Sequence, residues 1–148
     1  MVGSDEAGFA MKEEISKLLL EKGHEVIDVG VYNEDPVLYP DIAVKGALKI
    51  LEGEAEKGIL ICGTGIGMAM TANRIPGIRA AVCHDAYSTE RSVLSNDAQI
   101  MCMGARVIGL ELAKMLVSEW IELKYVDGRS TPKIERMMQY DAEYKKEK

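Results

Sequence analysis

The sequence is poor in the residues that build metal centres and disulfide scaffolds. It has two histidines, His24 and His84, and three cysteines with no C-x-x-C pair among them. A zinc site would have to be gathered from scattered residues, and an odd number of cysteines without targeting signals points to free thiols. Neither a metal nor a disulfide framework is expected. The chain also lacks any apolar run near the roughly 18 residues that span a bilayer, and its N-terminus lacks a basic-then-apolar leader, so no membrane is expected and the expected compartment is the cytoplasm. Positive charge is not in excess either: the net charge of -6 argues against nucleic acid as a partner.

What is present describes one soluble domain over residues 1–148, with 47% apolar and 28% charged residues. A chain of this length typically buries roughly 70% of its unfolded surface, enough for a core without staples. Ile59–Cys62, Ile78–Cys83 and Ile100–Met103 are short continuous apolar runs bounded by turn residues, the pattern of strands buried on both faces of a parallel sheet. Cys83 and Cys102 lie in such runs and read as small core hydrophobes.

Helical patterns fall between the strands. Met11, Ile15, Leu18 and Leu19 form an apolar stripe after Gly8, with Lys12, Glu13, Glu14 and Lys17 assigned to the opposite face and Gly23 as the stop. Glu25–Val29 reads as a strand. Asp41 is expected to cap a helix that turns Ile42, Ala47, Ile50 and Leu51 inward. Asp85–Leu94 is a further helix, and Ala113, Leu116, Val117, Trp120 and Ile121 form another stripe, with Trp120 read as packing. A first strand before Gly3-Ser4-Asp5 has only Met1 and Val2 to draw on. Pro132–Lys148 reads as a charged helix, about 132–146, with Ile134, Met137 and Met138 as a thin apolar edge suited to a subunit interface or to a solvated surface. Together these predict a three-layer α/β/α sandwich, a Rossmann-like sheet of five parallel strands with an extra C-terminal helix.

The densest signal is Ile59-Leu60-Ile61-Cys62-Gly63-Thr64-Gly65-Ile66-Gly67, a buried strand running into a cysteine and a glycine-rich turn that opens a helix. Backbone N–H groups converging there favour an anion, and the positive helix end favours a thiolate. Chemistry at Cys62 is the leading idea. A dinucleotide site fits poorly, because the turn reads G-x-G-x-G and Met68 occupies the place of the third glycine. A Walker loop needs Lys-Ser/Thr after its last glycine, and a cysteine phosphatase loop usually closes with an arginine, whereas the nearest here, Arg74, is too far along the helix. No cofactor is expected.

The blocks Ser4-Asp5-Glu6-Ala7-Gly8, Tyr39-Pro40-Asp41, Cys62 to Gly67, Ala72-Asn73, Gly77-Ile78-Arg79-Ala80, Ser95-Asn96-Asp97-Ala98, Gly104-Ala105-Arg106 and Asp127-Gly128-Arg129 together resemble one family. It is the type B ribose-5-phosphate isomerase and galactose-6-phosphate isomerase family, and the resemblance runs from about Val2 to Ile134. The resemblance implies an aldose–ketose isomerase in which Cys62 is the base that moves a proton between C1 and C2 of an open-chain sugar phosphate. Thr64 and the amides of Gly63, Gly65, Ile66 and Gly67 would form the oxyanion site. It also implies that Asp5 hydrogen-bonds sugar hydroxyls or the ring oxygen, that Asn96 holds a substrate oxygen, and that Arg106, Arg129 and Lys133 bind phosphate. Lys133 stands where an arginine is common, keeping the charge but not the bidentate fork. Part of the phosphate site comes from a neighbouring subunit in the family, so a homodimer or homotetramer is implied.

Three family histidines are missing, replaced by Glu6, Ser95 and Ser130. The position of Ser95 is the one that opens the sugar ring. A tetrose 4-phosphate cannot close a furanose, since its fourth oxygen is esterified, so an enzyme for an acyclic four-carbon substrate has no ring to open. Erythrose/erythrulose 4-phosphate and ribose/ribulose 5-phosphate both remain candidate substrates. Glu6 is a candidate to recruit a hydroxyl or act as a second acid/base, and His84 to supply proton transfer or a structural contact. The reading from another class is a non-catalytic sugar-phosphate-binding subunit, against which the retained Cys62 and Thr64 argue.

Overall fold

The computed structural model describes residues 1–144. Four parallel strands, β1 (Val2–Ser4), β2 (Gly58–Cys62), β3 (Ala80–Val82) and β4 (Ile100–Gly104), form a sheet in the order β1-β2-β4-β3. They alternate with α1 (Phe9–Glu21), α2 (Tyr39–Leu51), α3 (Ile66–Ala72), α4 (Ala86–Leu94), α5 (Leu110–Trp120) and α6 (Thr131–Glu143). Successive strand residues face opposite layers. Ile59 and Ile61 pack with Met11, Ile15 and Leu19 of α1, Val93 of α4 and Leu116, Val117 and Trp120 of α5. Leu60 and Cys62 pack with Ile42 and Ala47 of α2 and Met68 and Ala72 of α3. The architecture is therefore α/β/α, and Cys83, Cys102 and Trp120 are core residues with no exposed surface.

Among the described residues the sheet has four strands, where the sequence suggests five. Glu25–Val29 is extended and lies along β1: the Val2 N–H donates to the Ile27 carbonyl at 2.8 Å and the Val29 N–H to the Val2 carbonyl at 3.0 Å. Only one regular bridge forms, Val2 with Asp28; Gly30 at φ +100 breaks the register, although the Ser4 N–H still donates to the Gly30 carbonyl at 2.8 Å and the Val31 N–H to the Ser4 carbonyl at 2.9 Å. The short β1 is completed by Gly3 and Ser4, and the Met1 ammonium donates to the Lys57 carbonyl at 2.9 Å.

Three local expectations change. Asp41 is not the cap of α2; that helix starts two residues earlier at Tyr39, with Pro40 pre-set for the first turn and Asp41 one residue further in. Leu51 points outward and is 47% exposed. Lys12, assigned to solvent, is completely buried. Its ammonium donates to both carboxylate oxygens of Asp28, at 2.8 and 2.7 Å, and to the Val31 carbonyl, and it lies 5.4 and 5.3 Å from the ring centres of Phe9 and Tyr32. Lys12 sits three residues before Ile15 and seven before Leu19, so it shares their stripe. A buried cation of this kind is tolerated only when paired and hydrogen-bonded.

Helix α6 docks on its own chain through the buried Ile134, the Asp141 carboxylate, which accepts the Gly77 N–H at 2.8 Å, and Met138 beside Arg79. Met137 and Tyr140 remain about half exposed, at 46% and 45%. The expected end of this helix, at about 146, lies outside the described residues.

Candidate active site

In parallel α/β sheets ligands gather beyond the carboxyl ends of the strands, and β1, β2 and β4 end side by side here. Cys62 closes β2 and pairs in register with Gly104. Its side chain is almost fully buried, and its sulfur accepts the Gly65 N–H at 3.1 Å. That geometry needs a glycine: Gly65 has φ +78, and a Cβ there would come within 2.8 to 3.0 Å of the Met103 backbone. At Gly104 a Cβ would strike the Thr64 Cα at 2.6 Å, so the turns after β2 and β4 nest against each other. Two bonds fix the nesting, from the Ala105 N–H to the Cys62 carbonyl at 2.9 Å and from the Arg106 N–H to the Gly63 carbonyl at 3.0 Å.

This carries Arg106 to the thiol turn. Its guanidinium lies over Gly63, with Nη1 3.3 Å from where a Cβ would stand. Thr64 is exposed, and its hydroxyl accepts the Ile66 N–H at 3.2 Å. His84, at the end of β3, accepts the Gly104 N–H on Nε2 at 2.8 Å. Burial lowers its pKa, with the nearby Asp85 acting in the opposite direction, so it is a neutral prop beneath the turn.

Asp5 follows β1 and adjoins Cys62, since its N–H donates to the Ile61 carbonyl at 3.2 Å. Its carboxylate accepts the Gly8 N–H at 3.1 Å. Burial pushes the Asp5 carboxyl above the ordinary range and Glu6 adds to this, against the pull of the Gly8 and Ala7 amides and of Arg106. Glu6 accepts the Val37 N–H at 3.2 Å, across 31 residues of sequence. Tyr39 lies over Gly67, where a Cβ would be 2.6 Å from its hydroxyl.

The fold thus brings together Cys62, Gly63, Thr64, Gly65, Ile66, Gly67, Asp5, Glu6 and Arg106. It does not bring Asn96, Arg129 and Lys133 to them within one chain. Asn96 precedes β4 and so lies at the amino end of the sheet, at least about 13 Å along the strands from Gly104 at 3.3 Å per residue. Arg129 and Lys133 are exposed at the start of α6, after Lys124 and Tyr125, which flank the amino end beside Met1 and Lys57. Sequence reasoning overlooked Lys12 and gave Tyr39 no role; the first had a signal in its stripe position, the second only in its distance from Gly67 after folding. Among the described residues no group of three His, Cys, Asp or Glu side chains converges on a metal site, and no helix is long and apolar enough to cross a membrane.

A parallel α/β domain with a thiol, a buried carboxyl and an arginine on interlocked strand-end turns is equipped to move a proton on an anionic substrate. Residues 1–137 match the ribose/galactose isomerase family, and the chain belongs to it; it is an isomerase of that family. It is 49% identical over 140 residues to a ribose-5-P isomerase B of Listeria innocua, covering 95% of each chain. It is 51% identical over 128 residues to a D-erythrulose-4-phosphate isomerase of Mycolicibacterium smegmatis, covering 84% of each. The structure of ribose-5-phosphate isomerase B from Clostridium thermocellum superposes with a TM-score of 0.94 at 40% identity, covering 97% of each chain.

Proposed function

We propose that the chain interconverts an aldose phosphate and its 2-ketose through a cis-enediolate, with Cys62 as the base. The observation that carries this reading is the Cys62 sulfur held by the Gly65 N–H beside Asp5 and under Arg106. The thiolate takes the proton from the carbon next to the carbonyl, the electron pair moves into the enediolate, and the thiol, after exchanging its proton with solvent, protonates the adjoining carbon. The Thr64 hydroxyl and the Gly63 and Gly67 amides are assigned to the developing oxyanion, since the expected Gly65 and Ile66 amides are already taken by the Cys62 sulfur and the Thr64 hydroxyl. Asp5 accepts a substrate hydroxyl, and its raised pKa suits it to exchange that proton between O1 and O2.

The preferred substrate in this reading is the acyclic D-erythrulose 4-phosphate/erythrose 4-phosphate pair. Ser95, where the family's ring-opening histidine stands, caps the C-terminus of α4 and takes a 3.2 Å bond from Arg91. A tetrose 4-phosphate has no furanose to open, so nothing is lost by that serine. The ribose 5-phosphate/ribulose 5-phosphate pair is the second reading, favoured by the L. innocua relative.

A second copy of the chain completes the site. Asn96 lies at the opposite end of the sheet from Cys62, and Arg129 and Lys133 are exposed where the chain leaves Lys124 and Tyr125, while β3 is an unpaired sheet edge of half-buried Ala80–Val82 beside Met137, with Tyr87 75% exposed. Seated across such an edge, a partner's Asn96, Arg129 and Lys133 would meet the substrate oxygen and phosphate. The homodimer or homotetramer is measured by light scattering.

The test is proton NMR of the purified protein in deuterated water, with erythrulose 4-phosphate and ribulose 5-phosphate in separate tubes. Aldose formation with carbon-bound deuterium from the tetrulose alone is the expected result. Turnover of ribulose 5-phosphate replaces the four-carbon reading with the five-carbon one. Silence in both tubes returns the chain to a non-catalytic sugar-phosphate-binding subunit.

A further inference from the structure

The segment from Tyr32 to Leu38 joins the extended Glu25–Val31 stretch to α2 and so crosses the rim at the carboxyl end of the sheet, next to the Asp5–Gly8 turn. It has little apolar anchorage of its own: Tyr32, Val37 and Leu38 are 70%, 38% and 73% exposed. Fixed points hold it instead. At its start, Lys12 binds the Val31 carbonyl and Asp28, and Asp28 in turn accepts the Gly30 N–H at 2.8 Å. At its end, Tyr39 rests on Gly67 of the thiol turn. Between them the one long-range bond among the described residues is from the Val37 N–H to the Glu6 carboxylate.

We infer that Glu6 is a positioning residue that holds the 32–38 segment as a wall of the site, and that it takes no part in proton transfer. The Val37 N–H engages Oε2 of Glu6 and so fixes the carboxylate against the segment it holds. The neighbouring Asp5 is the more buried of the two, and it contacts the turn that bears Cys62. A wall that is tied down on the Asp5 side and seated on Gly67 on the other spans the gap between the ends of β1 and α3. Releasing its middle widens the site without touching the thiol. The cost therefore falls on binding and orientation of the substrate rather than on the chemical step.

Glu6→Gln separates the two roles, since its amide oxygen can still accept the Val37 N–H but cannot donate or accept a proton at neutral pH. Glu6→Ala removes both, and Val37→Pro removes the donor while leaving Glu6 intact. The kinetic arm rests on the isomerase reading and uses erythrulose 4-phosphate and ribulose 5-phosphate. Glu6→Gln is expected within about twofold of the parent kcat, while Glu6→Ala and Val37→Pro each raise KM by about tenfold with little change in kcat, and their combination is no worse than either alone. A fall of about a hundredfold or more in kcat for Glu6→Gln would overturn the inference in favour of acid/base work. The structural arm needs no substrate: amide exchange at Val37 should be protected in the parent and in Glu6→Gln and fast in Glu6→Ala. Equal protection in Glu6→Ala also overturns it. If the parent turns over neither sugar, the isomerase reading fails, and Val37 exchange alone decides the role of Glu6.

Discussion

At the amino end of the sheet, Lys57 donates to the carbonyls of Trp120 and Ile121 at 2.9 and 3.4 Å and also to that of Leu123, and lies 4.7 Å from the Trp120 ring centre. Arg79 is spent in the same way, on the Asp97 carbonyl and carboxylate. At the carboxyl end, Thr64 keeps an exposed hydroxyl, the Ser4 hydroxyl is buried without a partner among the described residues, and Arg106 has no ion pair among them. Both ends carry cations beside backbone carbonyls and strand termini. One end uses its polar groups to close the structure, and the other holds them available. That difference is a better guide to the working end than charge or burial alone, because a satisfied buried cation stabilises the fold, while an unsatisfied group is kept at a cost.

Exchanging damage between the two ends sharpens the contrast. Cys62→Ala should lower kcat/KM by about a thousandfold or more, consistent with losing a positioned base, while isothermal titration still detects sugar phosphate and stability changes by only about 1 kcal/mol. Activity equal to the parent would move the base to Asp5. Trp120→Ala is the mirror experiment at the amino end. Removing a fully buried indole, with its 3.2 Å bond to the Ser92 hydroxyl, should cost about 3–5 kcal/mol in denaturant melts and leave the KM of the folded protein unchanged.

Lys12 and Asp28 are the intermediate case, a buried polar pair near the carboxyl end that is fully spent on structure. Asp28→Asn leaves a completely buried ammonium with a weakened partner and should cost about 2–3 kcal/mol, discounted because Asp28 is itself 31% exposed. Lys12→Met replaces the cation with an apolar chain and should cost less, about 1 kcal/mol. The reverse order in thermal melts would show that the ammonium is not the group at stake.

The smallest effect expected is at His84. Its pKa is lower in the folded protein than the ordinary value of about 6.5, so its contribution to stability is present above that pH and is lost as pH falls through the folded value. Protonation also removes the acceptor for the Gly104 N–H. Denaturant melts between neutral pH and about pH 5 should show a steeper loss for the parent than for His84→Gln. Parallel curves would remove His84 from the support of the turn.

The strands around Ile59–Cys62 and Ile100–Met103, the apolar stripes of α1 and α5 and the thiol turn were all legible in the chain, because each is a local pattern of burial period and turn chemistry. The blocks from Asp5 to Arg129 carried the family in the same way. Folding changed what depended on neighbours distant in sequence. Glu25–Val29 had the pattern of a strand and lies along β1, yet Gly30 at φ +100 broke its register after one bridge. Lys12 looked solvated until Asp28 and Val31 closed on it. Helix α2 began at Tyr39 because Pro40 set the first turn, where Asp41 alone had suggested a cap.

The sequence by itself determined the layered α/β fold and the chemistry available at Cys62, since period-two and helical spacings and a glycine turn after a buried strand act within a few residues of each other. Only the tertiary structure decided which polar groups reach that thiol. Parallel pairing set Asp5 beside Ile61, nested Arg106 over Gly63 and tied Glu6 to Val37, and it left Asn96, Arg129 and Lys133 away from the thiol, because in a sheet position along the strand, not distance in sequence, fixes which end a side chain serves.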